Sequence, residues 1–462
     1  MALLDPQPAP TPRQKRPLWN GVLLVLVILF ASSPDSPVSA DDRLSSEERA
    51  LAQALEVRQP EMLASLRELV VQNTGSANID GLEAMAEHLK GELSRLGFET
   101  RAEVPERVEV PGGRASRAAP VIIGRRANDE AGPRFLLVGH YDTVFEPDHA
   151  FSQFSTSQGH AGTLRGPGVA DMKGGLVVML EALRALRESG DLERASWTVL
   201  FNGDEETGSL ASRDSIEREA RRADYGFVFE AARTSGGMVE SRRGLGQFYL
   251  SVEGVAAHAG SAHRSGHSAV LELARKVVMI EALTDYANGV TLNVGVIGGG
   301  IKRNVIPERA FAWIDLRYDR PEDGIRIRRE LERISALQLD PDTRSQLWGR
   351  LHRPPKLAGP EVRALLSRHR EVAAALGIEL PPSHHAGGGT DGSLMGAVGL
   401  PTLDSMGVVG SHAHTDAESA AQASLTERAA LAAILLRRLI QLPAPAQSSD
   451  AAGSLYPPGP GR

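Results

Sequence analysis

The chain has no cysteine among its 462 residues. That excludes disulfides and thiolate metal ligands, and leaves histidine and carboxylate as the strong ligand types. Charge of one sign is also missing. The balance is 51 basic against 58 acidic residues, a net charge of −7, with no long basic run and only 5% aromatics. Nucleic-acid binding therefore has no electrostatic support. A membrane-length hydrophobic run is absent too, because the apolar stretch Gly21–Ala31 is shorter than the roughly 20 residues that a bilayer span needs. No internal repeat is apparent.

What the N-terminus does have is the layout of an export signal. Arg13, Lys15 and Arg16 precede the apolar stretch, and Val38-Ser39-Ala40 offers small residues for cleavage. The mature protein is expected in the periplasm or outside the cell, with membrane attachment only if this segment, residues 1–40, is uncleaved. The Pro-, Ala-, Ser- and Gly-rich stretch 442–462 reads as a disordered tail.

Between these ends the length calls for at least two folded units. Ser46–Val57 and Pro60–Val71 read as helices, and Asp80-Gly81-Leu82-Glu83 as a capping box opening another. Strands are expected over Thr100–Val110 and Val121–Gly124, then at Phe135–Val138, Trp197–Phe201 and Gly226–Phe229. The last three are apolar throughout, as strands buried on both faces are. A helix carrying Leu176, Met179, Leu180, Leu183 and Leu186 separates the first two. The alternation predicts an α/β unit with a mostly parallel central sheet flanked by helices. From Gly244 the order becomes strand, helix, strand, strand, helix, which reads as an inserted ferredoxin-like α+β unit. The expected organisation is a catalytic domain in two stretches, 41–239 and 353–441, interrupted by the insert over 240–352.

Ligands of such sheets bind beyond the carboxyl ends of the strands. His140 and Asp142 follow one apolar run (FLLVGHYD), Glu205 and Glu206 another (WTVLFNGDEE), and Glu230 a third (YGFVFE). Asp171 sits in GPGVADMKGG and His414 in GSHAHTDAE. The set His140, Asp171, Glu206, Glu230 and His414 reads as a two-ion site for zinc, cobalt or manganese. Asp171 would bridge, with His140 and Glu230 on one ion and Glu206 and His414 on the other. Asp142, two residues on along an extended strand, is placed to orient His140. Of the adjacent Glu205 and Glu206, one can ligate and the other move protons. Bland readings compete: Asp171 as a helix N-cap, Glu230 as a solvated strand end, and His412 as the ligand instead of His414.

GHYDT, GPGVADMKGG, NGDEETGS, FEAAR, HAG, RNVIPERAFAWIDLRY, GGGTDG and HAHTDAE together resemble the M20 family of zinc exopeptidases and aminoacylases, in unbroken motif order over about residues 60–440. Its glutamate carboxypeptidase branch is the nearest in pattern. The resemblance implies two Zn2+ per chain on the five residues above, with Co2+ or Mn2+ possible, Glu205 as general base and Asp142 supporting His140. It implies a homodimer in which the inserted unit is the dimerisation lid, and a cis peptide after Asp171. It also implies that His258 stabilises the oxyanion in the partner subunit's site. Asn304, Arg317 and the loop Gly388, Gly389, Thr390 would bind substrate, a small peptide or an N-acyl amino acid. After Glu230 the sequence departs from that branch: a lysine found there has no counterpart, and Arg233, Arg242 or Arg243 are the candidates to replace it. Asp315 and Glu308 compete with substrate for Arg317. His384, His385, Arg350 and Arg353 are weaker candidates for touching substrate.

Overall fold

The computed structural model describes residues 43–105, 119–128, 132–157 and 162–442. The export-like segment and the tail lie outside them, apart from Leu442. Two main sheets are built from β1 (Glu99–Glu103), β2 (Val121–Arg126), β3 (Arg134–His140), β4 (Ser196–Asn202), β5 (Tyr225–Val228), β6 (Gly244–Glu253), β7 (Thr291–Gly299), β8 (Arg309–Tyr318), β9 (Arg344–Arg353) and β10 (Thr402–Leu403). The helices of three turns or more are α1 (Ser46–Val57), α2 (Gln59–Val71), α3 (Ile79–Arg95), α4 (Lys173–Glu188), α5 (Ala269–Glu281), α6 (Pro321–Ala336), α7 (Pro360–Ala375) and α8 (Ser424–Ile440).

The first sheet has the order β1-β2-β4-β3-β5-β10. Its four strands β4, β3, β5 and β10 run parallel, while β1 and β2 are antiparallel to their neighbours. The sheet is therefore mixed rather than simply parallel. Phe135, Leu136, Leu137 and Val138 are fully buried, as expected of a strand covered on both faces. One cover is α4, whose Leu176, Met179, Leu183 and Leu186 are buried, together with α8. Each such side chain contributes roughly 1.5–3 kcal/mol by leaving water. Gly175 is required at the start of α4, since a Cβ there would meet the Phe229 carbonyl oxygen at 1.8 Å. The helix thereby packs against the chain as it leaves β5 for Glu230.

Helix starts obey local chemistry. Ser45 and Glu48 form a reciprocal capping box on α1. On α3 the cap is Asn78, which accepts from the Gly81 N–H, so the expected box at Asp80–Glu83 is displaced. Asp80 lies in the first turn instead, where a carboxylate suits the helix dipole.

The second sheet has the order β7-β8-β6-β9, antiparallel throughout, with α5 and α6 against it. Phe248, Leu250, Leu273, Ile314, Leu316, Ile327 and Leu331 form a core distinct from that of the first sheet. The ferredoxin-like order holds, with one addition. The expected strand-helix-strand-strand-helix run is completed by β9, whose polar sequence RSQLWGRLHR hides it. A register irregularity between Leu351 and Arg353 ends that strand.

Candidate active site and metal centre

Parallel register sets the site. His140, last in β3, pairs with Asn202, last in β4, and Val138 pairs with Val228, last in β5. The residues following these strands, Glu205, Glu206 and Glu230, therefore emerge at the same edge. His140 Nε2 lies 3.1 Å from Asp171 Oδ1 and 3.7 Å from Glu230 Oε1. His414 Nε2 lies 3.1 Å from Asp171 Oδ2 and 3.1 Å from Glu206 Oε2. Asp171 thus turns one oxygen to each histidine, the disposition of a bridging carboxylate. All five residues expected as ligands meet here. His412 does not join them; its Nδ1 bonds the Ser411 hydroxyl. Asp171 caps no helix, because α4 begins after Met172, which follows the expected cis peptide bond.

Asp142 is fully buried and does two jobs. Its Oδ1 lies 3.3 Å from His140 Nδ1, and its two oxygens accept the Glu205 and Glu206 backbone N–H groups at 3.1 Å each. One carboxylate thereby ties the β3 histidine to the β4 glutamates. The Asp171 loop has a similar brace, which the sequence does not announce. Glu418 accepts the N–H groups of Gly168, Ala170 and Asp171 at 3.0, 2.8 and 3.0 Å. It closes the motif HAHTDAE, and burial pushes its carboxyl up to about 7.

The electrostatics match a cation-binding cluster. Burial, then the neighbouring Asp171 carboxylate, raises the Glu206 and Glu230 carboxyls. Burial pushes Glu205 up to about 8 against the opposing pull of Arg353. Hydrogen bonds to Asp171 and Glu206 push His414 up to about 11. Four crowded carboxylates repel one another unless positive charge lies among them, whether protons on the two imidazoles or bound cations. The donor set fits divalent ions that accept nitrogen and oxygen ligands. His140, Asp171 and Glu206, and separately His140, Glu205 and Glu230, bring ligand atoms within 4.8 Å of one another.

Beside this cluster is a cavity of about 390 Å³, lined in part by Arg233, Arg242, Gly388, Gly389, Thr390 and His412. Three of the expected substrate residues, Gly388, Gly389 and Thr390, are in that wall. Thr390 bonds inward, its hydroxyl donating to Asp404 at 2.8 Å. The arginines separate clearly. Arg242 is committed to buried Asp404 at 2.6 and 3.0 Å, and Arg243 turns to Asp319 at 3.0 Å. Among the described residues the Arg233 side chain bonds the His384 ring alone, its Nε donating to His384 Nε2 at 2.7 Å. Burial followed by the charges of Arg233 and Arg242 holds that imidazole below its usual range.

The remaining expectations fall outside the cavity. Arg317 pairs with Asp315 at 2.7 and 2.9 Å and reaches the Gly387 carbonyl at 3.2 Å. His258 is exposed, and its Nδ1 accepts the Gly260 and Ser261 N–H groups at 3.0 and 3.2 Å. Those bonds assign the proton of a neutral ring to Nε2. Asn304 is exposed nearby, its carbonyl accepting the Ala259 N–H at 3.0 Å. His385 turns to Ser241 and Asp319.

The sequence profile of Peptidase family M20/M25/M40 matches residues 136–438. Carboxypeptidase G2 of Pseudomonas sp. (strain RS-16) is 31% identical over 405 residues, covering 85% of this chain and 92% of its own. Succinyl-diaminopimelate desuccinylase of Erythrobacter litoralis is 27% identical over 280 residues, covering 58% and 70%. Among solved structures, the M20 family metallo-carboxypeptidase Sso-CP2 of Sulfolobus solfataricus superposes with a TM-score of 0.64 at 18% identity, covering 83% of this chain and all of that one, which speaks to the fold. With profile, relatives and fold in agreement, this chain belongs to peptidase family M20/M25/M40 and is a metal-dependent hydrolase of that family.

Proposed function

We propose that the chain is a two-ion exopeptidase that hydrolyses an amide bond next to a free carboxylate. The observation that carries this reading is Asp171, whose two oxygens each face one histidine at 3.1 Å. His140, Glu230 and one oxygen of Asp171 would hold one ion; the other oxygen, Glu206 and His414 would hold the second. Zinc suits these donors, as do cobalt and manganese. Such ions supply Lewis acidity toward a carbonyl oxygen and toward water.

The protein's own groups do the rest. Glu205 takes the proton of the attacking water and delivers it to the leaving amine. Asp142 keeps His140 and the Glu205–Glu206 backbone in register. His258, acting on the site of a partner subunit, offers Nε2–H to the developing oxyanion. Asn304 accompanies it from the neighbouring strand segment, whose pairing with Ala257–His258 sets the two side by side, and the loop Gly388–Thr390 forms part of the wall of the substrate cavity. Arg317, through the Gly387 carbonyl, braces that loop. Among the described residues no carboxylate pairs with Arg233, so the side-chain carboxylate of a substrate glutamate is its natural counter-ion. The homodimer is supported by the free edge of β7 with exposed Val296 and Ile297, and by Val270, Leu271 and Val278 exposed on α5. Export rests on the sequence of residues 13–40.

The second reading is an N-acyl amino-acid deacylase. It is favoured by the similarity to a desuccinylase, and the same ions and base would serve it. The test is amino-acid release by purified protein, zinc-loaded and chelator-stripped, from dipeptides, acylated amino acids and folate-like C-terminal glutamates. Ion-dependent release is expected, and the preferred member decides between the two readings. Glu205→Gln should lower turnover by about 10²–10⁴-fold with ions still bound, the usual worth of a general base. Near-normal turnover in that variant would sink the mechanism.

A further inference from the structure

The residue that closes β9 reaches the candidate base from the second sheet. Arg353 is 2% exposed, so its guanidinium works in a dry setting. Its Nη2 donates to Glu205 Oε1 at 2.6 Å, to the Glu205 carbonyl at 3.1 Å and to the Ser209 hydroxyl at 2.9 Å. Its Nη1 donates to Asp391 Oδ1 at 2.9 Å. The Ser209 hydroxyl donates to that same Asp391 oxygen, which closes the ring of contacts. The stem is held as firmly as the head. A Cβ added at Gly389 would meet Arg353 Cδ at 2.7 Å, and the Tyr318 hydroxyl donates to the Arg353 carbonyl at 3.0 Å.

We propose that Arg353 is a positioning residue for Glu205: it anchors one carboxylate oxygen, leaves the other for proton transfer, and keeps this glutamate from becoming a metal ligand. The need for such an anchor is visible in the site. Glu205, His140 and Glu230 bring ligand atoms within 4.8 Å, so an untethered Glu205 could close on an ion as a third ligand. A ligating carboxylate has lost the oxygen it needs to accept a proton. The guanidinium prevents this by a charge-assisted bond from Nη2 to Oε1 alone, while Asp391 holds Nη1 and so fixes the plane from which that bond is made. Asp391 and Ser209 then hold the fork, so the chain of restraint runs Asp391, Arg353, Glu205. This gives the aspartate of GGGTD a purpose that its neighbours in the cavity wall do not share. The inference rests on Glu205 acting as the base.

The test uses the full-length, zinc-loaded protein and three variants: Arg353→Met, Asp391→Asn and Glu205→Gln. Arg353→Met keeps the stem and removes the fork. Its kcat should fall about 100-fold, the usual cost of misplacing a reacting group by about an ångström. KM should stay within about threefold, and bound zinc should not decrease. Asp391→Asn, which loosens Arg353 without touching Glu205, should lower kcat in the same way but less. On the Glu205→Gln background neither change should lower kcat further, because residues acting as a unit are not additive. A raised KM with unchanged kcat would overturn the proposal and make Arg353 a substrate-binding group. Additive losses in the double variants would overturn it as well. Should Arg353→Met fail to fold, as judged by thermal melting, Asp391→Asn alone and combined with Glu205→Gln decides the matter. An active Glu205→Gln protein would instead reject the base assignment, a separate failure.

Discussion

His369 offers a stability prediction that is independent of the metal centre. It lies on α7, fully buried, and neither ring nitrogen has a hydrogen-bond partner among the described residues. Burial pushes its pKa down to about 3, aided by the charges of Arg428 and Arg370. In the unfolded chain the imidazole titrates near 6.5. Because the folded value is the lower one, the unfolded chain binds the extra proton between the two. The stability contribution is therefore present above pH 6.5 and is lost progressively as pH falls toward 3. At pH 5 the loss is 1.5 pKa units at 1.36 kcal/mol each, or about 2 kcal/mol. His369→Leu removes it at similar volume. Urea unfolding of both proteins in chelator, at pH 7 and pH 5, should show the native protein losing about 2 kcal/mol more than the variant. His352, also pushed down to about 3 by burial and nearby arginines, is common to both and cancels. At pH 7 the variant should be no less stable, since it no longer buries two unbonded nitrogens. Parallel losses in the two proteins, or a folded-state His369 titrating near 6.5 by NMR, would refute the reasoning.

Two further expectations concern substrate and assembly. Arg233→Ala should raise KM about 10-fold for substrates ending in glutamate and leave alanine-ending ones within about twofold, as loss of a charge-assisted pair worth about 1.5 kcal/mol would; equal effects on both would remove Arg233 from specificity. Lysine at both Val278 and Ile297 should convert a dimer to a monomer in sedimentation, with thermal stability within about 1 kcal/mol at these exposed sites; an unchanged dimer would move the interface elsewhere.

Much of the site was legible because ligands in this fold follow strands, and the buried strands announce themselves by unbroken apolar runs. His140, Glu206 and Glu230 could each be found at the end of one. What escaped detection depends on partners distant in sequence. Arg353 and Asp391 each look ordinary, and their shared role arises only when β9 and the GGGTD loop meet. Glu418 lies within a recognisable motif, yet its grip on the Asp171 loop spans 247 positions. Strand β9 was hidden by polar side chains that an edge strand tolerates. The antiparallel β2, apolar and buried at Val121, Ile122 and Ile123, shows that apolar runs reveal burial but not direction.

The brace between Glu418 and the Asp171 loop has a consequence for the protein's biogenesis. Both the brace and His414 come from near the end of the described chain, whereas His140 and Asp171 come far earlier. A ribosome that has delivered only the first sheet and the second has made an unfinished ligand set and an unsupported loop. Domains of long chains fold in the order of synthesis. On the proposed two-ion reading hydrolytic competence therefore arrives last, because a chain cut short before His414 lacks part of its ligand set and the carboxylate that holds the Asp171 loop.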